Sequence, residues 1–141
     1  MDKKNRNSTS CYCLKMRRAS CDITKFYDEW LKPSGVTVSQ YSLLLNVSKA
    51  EIGTLKELAD MAELERSTLA RNIKPLLKKN LIYDAKPNGA RNSRLILTQE
   101  GVKVLKYASE LWENAQKQIQ KALGQTSILE LEKVLKALEA L

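Results

Sequence analysis

Between Thr54 and Thr98 the chain reads as two short amphipathic helices, a tight turn between them, and a two-stranded hairpin with a basic tip. No other stretch narrows the fold as much. Leu55, Leu58, Ala59 and Ala62 follow the i, i+3, i+4, i+7 spacing of a two-turn helix with one buried face. Glu63 and Leu64 make the turn. The next helix, about Glu65 to Asn80, is expected to bury Leu69, Ile73, Leu76 and Leu77 and to show Arg66, Ser67, Thr68, Arg71, Asn72 and Lys74 on its other side. Small Ala59 suits the close crossing of the pair. Pro75 predicts a bend or a loosened turn, because it removes a backbone donor inside the helix. Leu81–Asp84 and Arg94–Leu97 read as strands around a loop carrying Pro87 and Asn88-Gly89, the signals of a hairpin.

Charge follows the same segment. Residues 66–94 hold eight basic side chains and one acid, Asp84, against a net charge of +8 for the whole chain. The first 20 residues sum to +5, residues 21–65 to −4, and residues 95–141 to zero. Scattered lysines usually mark nothing more than a solvated surface. Here the clustering coincides with a helix and a hairpin, and such a focused positive field is what a polyanionic duplex selects.

Composition excludes more than it assigns. With 141 residues, 43% of them apolar, the chain suits one compact unit or one subunit of a small oligomer. No apolar run approaches the length of a bilayer span. The amino end, MDKKNRNSTS, carries no apolar signal segment, so residues 1–10 are expected to be a flexible polar tail and the protein cytoplasmic. Three cysteines form an odd count without a framework spacing, which suits reduced thiols. Histidine is absent, removing the commonest general base and metal ligand. Without a nucleophile–base pairing, a phosphate-cradling glycine loop or a metal cluster, we expect no enzyme, no catalytic residue, no cofactor and no metal.

The flanks are helical. Apolar residues recur from Cys11 to Leu31 until Pro33, Ser34 and Gly35 intervene. Thr37 caps a second helix through Val47, with Tyr41, Leu44 and Leu45 inward, and Thr54 can cap the third. Thr98 caps a long helix with Val102, Leu105, Ala108, Trp112, Ala115, Ile119 and Ala122 along a seam suited to another helix. Gly124 is expected to end it and Thr126 to cap a last helix striped with Ile128, Leu131, Leu135 and Leu138. A chain this small cannot bury so much leucine against itself. The terminal helices are therefore expected to form a two-fold subunit interface, with an intramolecular bundle as the other possibility.

On the basic helix, Arg71 can offer a bidentate fork to guanine and Asn72 can pair similarly with adenine. Ser67 and Thr68 lie near its amino end, where free N–H groups attract phosphate. Arg91, on the hairpin tip, could read minor-groove width. Taken singly, Asn72 and Ser67 fit local capping or a solvated face as well. As a set beside Arg71 they favour binding. Sequence-specific recognition is the leading reading and a non-specific architectural nucleic-acid binder the alternative; the specificity ratio separates them.

In this order the pieces LKELADMAELERSTLARNIKPLLKKNLI, RLILTQEG and CYCLKMRRAS…YDEWLKPSGVTVSQYSLL resemble the MarR family of bacterial winged helix-turn-helix transcriptional regulators, over roughly Cys11 to Leu141. The resemblance implies a mainly α fold with a small β-hairpin wing. It implies a DNA-binding domain at 37–98, and one discontinuous dimerisation region at 11–36 and 99–141. It also implies a homodimeric repressor of a pseudo-palindromic operator on double-stranded DNA. Contacts carry over to Arg66, Ser67, Thr68, Arg71, Asn72, Lys74 and the wing residue Arg91. One departure stands out: many members carry Asp-x-Arg at the wing tip, and this chain has Gly89-Ala90-Arg91.

Family members commonly respond to small aromatic or phenolic ligands or to oxidants. Met16, Tyr27, Trp30, Tyr41 and Trp112 are the pocket candidates, with ordinary aromatic core as the plainer reading of each. Cys13 precedes Tyr27 by fourteen positions, the spacing found in the organic-peroxide-sensing branch. Along one helix that is about 21 Å, so the two could meet only across a dimer. Arg17 and Val38 stand where that branch has tyrosines. Arg17 or Arg18 could favour a thiolate at Cys13; a small buried helix residue is the other reading.

Overall fold

Three threonines set where helices begin. The computed structural model describes residues 10–86 and 93–141, so the amino tail up to residue 9 and the wing tip with Arg91 lie outside the described residues. Helix α1 spans Tyr12–Leu31, α2 Val38–Lys49, α3 Leu55–Ala62, α4 Arg66–Lys78 and α5 Gln99–Glu139; a 3₁₀ turn, Lys32–Ser34, joins the first two. Thr37 caps α2 in a reciprocal box with Gln40. Thr54 accepts from the Glu57 amide at 3.1 Å, and Thr98 from the Gly101 amide at 2.9 Å. Each satisfies a donor that a helix start otherwise leaves orphaned.

Helices α3 and α4 both stop in a Schellman arrangement. At the end of α3 the Leu64 amide donates to Ala59 O at 3.0 Å, with Glu63 at φ 53°. At the end of α4 the Leu81 amide donates to Leu76 O and the Asn80 amide to Leu77 O, both at 3.0 Å, with Asn80 at φ 59°. These two left-handed residues turn the chain sharply enough to stack α3 against α4 and to launch the hairpin. Strands β1 (Ile82–Asp84) and β2 (Leu95–Leu97) pair antiparallel, Ile82 opposite Leu97 and Asp84 opposite Leu95. The Leu95 amide also donates to Gly53 O at 2.8 Å, which ties the α2–α3 connection to the outer side of β2.

The core lies where these elements converge. Leu31, Leu44, Leu58, Leu69, Leu76 and Ile82 are fully buried, and no buried side chain among the described residues is polar. Each such side chain stabilises the fold by about 1.5–3 kcal/mol. Helix α5 packs on α1, α2 and β2. Its first turn lies so close to the wing that a Cβ at Gly101 would stand 1.9 Å from Leu81 O. That carbonyl already accepts from the Thr98 amide at 3.0 Å, so neither partner has room to yield.

Several expectations need correction. Leu77 is not core: it is 40% exposed, because its position on α4 turns away from the Leu69–Ile73–Leu76 stripe. Helix α4 begins at Arg66, with Glu65 as its cap, and ends at Lys78, short of Asn80. It runs through Pro75 as one helix; the residue sits within its last turn, where the missing donor frees only the Arg71 carbonyl. Helix α2 continues two residues past Val47, and both strands are shorter by their first residue. Leu45, Leu55 and Ala62 are half-buried. Gly124 does interrupt α5, as expected: two helical arms meet across a kink at this one non-helical residue, at φ 79°, ψ 159°. Thr126 accordingly lies inside the distal arm and does not cap it. Along the proximal arm the buried positions are Gly101, Ala108 and Ala115, while Val102 and Ala122 from the expected seam are exposed.

Candidate nucleic-acid interface

Helix α4 is divided lengthwise. Leu69, Ile73 and Leu76 close one side onto the core, while Arg66, Ser67, Arg71, Asn72 and Lys74 are exposed and Thr68 is half-buried. With about 3.6 residues per turn, Ser67, Arg71 and Lys74 lie opposite that apolar stripe, while Arg66 and Asn72 flank its two edges. Glu65, the N-cap, makes no side-chain bond to the helix start. The amides of Arg66, Ser67 and Thr68 consequently remain available, and the helix dipole places positive potential there. Among the described residues no hydrogen bond or ion pair holds the side chains of Arg66, Arg71 or Lys74. Three cations and a donor-rich amine end thus face solvent together. An anion meets them without first breaking an internal contact.

The wing is braced at its root by two acids whose part the sequence did not reveal. Asp84 Oδ1 accepts from the amides of Lys86 at 3.1 Å and Arg94 at 3.0 Å, and its other oxygen lies 3.8 Å from Lys86 Nζ. Partial burial pushes this carboxyl up, but the donors from Arg94, Lys86 and Ser93 and the Lys86 charge outweigh it, so the net effect is a lowered pKa. The Asp84–Lys86 bond is an Asx turn, and an aspartate two residues before a turn was the available signal.

Glu57 does the equivalent work behind β2. Its carboxylate accepts from three successive amides, Glu51 at 2.6 Å, Ile52 at 3.0 Å and Gly53 at 2.9 Å. The Gly53 and Glu51 donors lower its pKa, desolvation opposes them, and the Ile52 donor adds to the lowering. The Thr54-x-x-Glu57 spacing of a capping box was legible; that the carboxylate would reach back past Thr54 to the preceding loop was not.

The pocket candidates separate. Tyr41 is buried and stacks on Trp112 with ring centroids 6.1 Å apart, while Ser109 Oγ donates to its hydroxyl at 3.3 Å. The Tyr27 hydroxyl donates to Gln116 Oε1, and desolvation raises its pKa. Trp30 packs at the edge of the same core. Met16 is 43% exposed and sits about three turns up α1 from Tyr27, so the fold does not bring it to the other four within one chain. Two open cavities lie elsewhere. One, of about 730 Å³, is walled by Val47, Ile52, Leu97, Val102 and Leu105, with Glu51 and Arg94 at its rim. The other, of about 480 Å³, lies between α2 and the α3–α4 turn and touches Asn72. None of the five candidates lines either. Cys11, Cys13 and Cys21 are exposed in the chain, so Cys13 is not the small buried residue of the plainer reading.

No group of His, Cys, Asp and Glu among the described residues could hold a metal ion, and no helix is long and apolar enough to cross a membrane.

No protein-family model matches the chain. Over 100 residues, 70% of this chain and 68% of the relative, it is 29% identical to the HTH-type transcriptional regulator SarZ of Staphylococcus epidermidis. Among solved structures it is similar to the M. tuberculosis transcriptional regulator MosR in complex with DNA, at 32% identity and a TM-score of 0.76 over 93% of this chain and 98% of that one. A MarR-family regulator from Rhodococcus sp. RHA1 shares the fold at 17% identity, with a TM-score of 0.71 over 92% and 96% of the two chains. With 32% identity to MosR over nearly its whole length and the same fold as the MarR-family regulator of Rhodococcus, the chain belongs to the MarR family of winged helix-turn-helix transcriptional regulators.

Proposed function

We propose that two copies of this chain bind a pseudo-palindromic operator on double-stranded DNA and repress transcription from it. Helix α4 enters the major groove. Arg71 and Asn72 read base edges, while Arg66, Ser67, Thr68 and Lys74 fix the register on phosphates. Arg91, outside the described residues, reaches the minor groove from the wing. Residues 37–98 form the reading unit, and 11–36 with 99–141 the dimerising one. The observation that carries this reading is the exposed polar surface of α4 beside its buried Leu69–Ile73–Leu76 stripe, where Arg66, Arg71 and Lys74 have no side-chain partner among the described residues. MosR, the relative solved on DNA, supports it. Exposed Leu129, Leu131, Val134, Leu135 and Leu138 on the distal arm, with Leu14 and Ile23 on α1, supply the apolar surface of a two-fold contact. Half-sites then lie about 10 bp, or roughly 34 Å, apart.

Release follows when a small aromatic or phenolic ligand, or oxidation of exposed Cys13, favours a geometry with the two α4 helices off pitch. The α1–α2–α5 junction, with Tyr27, Trp30, Tyr41 and Trp112, is where a ligand gains most leverage on that spacing.

Selection from a pool of random duplexes tests the main claim. A recovered inverted repeat with half-sites one helical turn apart is expected; binding with a specificity ratio near one would make the protein an architectural binder instead. Loss of operator binding on treatment with an organic peroxide, abolished in Cys13→Ser, is the outcome expected of the oxidation arm.

A further inference from the structure

Lys79 differs from the other cations of the reading helix. Among the described residues, Lys74 and Lys78 have no hydrogen-bonded or ion-paired partner, whereas Lys79 Nζ donates to Gly35 O at 2.8 Å and lies 3.4 Å from Gln40 Oε1. These partners are 44 and 39 positions away in the sequence, at the elbow between α1 and α2. The ammonium is not needed to cap its own helix, because the Leu76 and Leu77 carbonyls already accept from the Leu81 and Asn80 amides. Its reach to the elbow is therefore a tertiary contact and not an incidental of helix termination.

The elbow is held from the other side as well. Asp28 Oδ1, on α1, accepts from the Val38 amide at 2.8 Å. Gln40 Oε1, the acceptor shared with Lys79, accepts from the Thr37 amide at 3.0 Å within the capping box of α2. Residues 35–40 are thus gripped by α1 through Asp28 and by α4 through Lys79. A helix of 13 residues is about 20 Å long, so a tilt of roughly 5° about its carboxyl end moves its amino end by roughly 1.7 Å. Displacements of that size are enough to spoil a bidentate base contact.

We propose that Lys79 is a positioning residue for operator reading: by stapling the carboxyl end of α4 to the α1–α2 elbow, it couples the seat of α1 to the orientation of the reading helix. This rests on α4 being the DNA-reading element. The staple pre-organises α4, so its loss appears as ordering that binding must then supply. It also gives a movement of α1, at the expected dimer base, a direct polar route to the far end of the reading helix.

The test uses the full-length protein and the duplex recovered by selection, with affinity measured by fluorescence anisotropy across a salt series. Lys79→Met is expected to weaken binding roughly fivefold to tenfold, with the slope of log K against log salt unchanged. Lys79→Arg, which keeps a charged donor, is expected to restore affinity to within about twofold. Amide exchange at Thr37 and Gln40 should quicken in Lys79→Met. A phosphate contact predicts something else: a slope shallower by about one unit and unchanged exchange at the elbow, and that result overturns the proposal. Unchanged affinity overturns it too. Asp28→Ala loosens the same elbow from α1 and serves if Lys79→Met does not fold. Removing an acid strengthens DNA binding by charge alone, so weaker binding at an unchanged slope supports the staple, and stronger or equal binding counts against it. Should the wild type show no preference among duplexes, the reading of α4 itself fails. A selective wild type with an equally tight Lys79→Met removes only the staple.

Discussion

The lobe from Thr37 to Thr98 and the distal arm of α5 follow opposite rules. In the lobe, Thr37 and Thr54 cap the starts of α2 and α3, α3 and α4 end in backbone-closed turns, and Leu44, Leu58, Leu69, Leu76 and Ile82 are fully buried. Past Ala115 the chain buries no residue, and Leu129, Leu131, Val134 and Leu135 remain 43–52% exposed. Apolar content is therefore no guide to where the core lies. The lobe turns most of its leucines inward, while the arm keeps them exposed. On the proposed dimer, stability resides in the lobe and assembly in the arm.

The sharpest way to break this contrast is at the arm. Leu131→Glu combined with Leu135→Glu is expected to raise the dimer dissociation constant by at least roughly a thousandfold, since burial of each leucine contributes about 1.5–3 kcal/mol in both copies. Sedimentation velocity at micromolar concentration checks it, and an intact dimer would mean the arm is merely exposed. Next in size is Gly101→Ala, at the root of the lobe. Its methyl would collide with the Leu81 carbonyl, and a loss of about 3 kcal/mol in urea unfolding is expected. At Gly124, by contrast, a Cβ meets nothing within 4 Å, so substitution there alters the direction of the arm and leaves the lobe folded.

A smaller effect falls on the lobe's outer face. Arg71→Ala should cost about 1–3 kcal/mol of specific binding and relax selectivity at one base, with the melting temperature unchanged; gel shifts over single-base operator variants read both. The smallest effect is a pH dependence. Glu57 has its pKa lowered from 4.5 by the Gly53 and Glu51 amides. Its contribution to stability is complete above the unfolded value and is lost as pH falls through the lower folded one. Between about pH 5 and about pH 3, Glu57→Gln should therefore show a shallower fall in stability than the wild type. Parallel acid limbs would mean that the loop is held without this carboxylate.

Local rules were readable and distant ones were not. Thr37, Thr54 and Thr98 announce helices because a cap acts over three residues, and the boundaries of α3 follow from four apolar positions. Leu77 misled because an apolar residue beside a buried stripe has no sequence mark telling which side it takes. Gly124 was legible as a break, but Thr126 misled: the second helical arm starts directly after the glycine, so the threonine lies inside it and does not cap it. In the candidate site, the polar face of α4 was legible as a periodicity. The bracing by Glu57 and Asp84 and the bond from Lys79 to Gly35 were not, since they depend on which loops the folded chain brings within reach of an oxygen or an ammonium.

Both tryptophans occupy the seam between lobe and terminal helices: Trp112 lies against the Tyr41 ring, and Trp30 packs at the edge of the same core. Indole emission therefore samples that joint and none of the cationic surface. The protein carries an optical gauge of that seam, reporting a shift of the lobe against α1 and α5 rather than contact with the groove of a duplex, with no dye to attach.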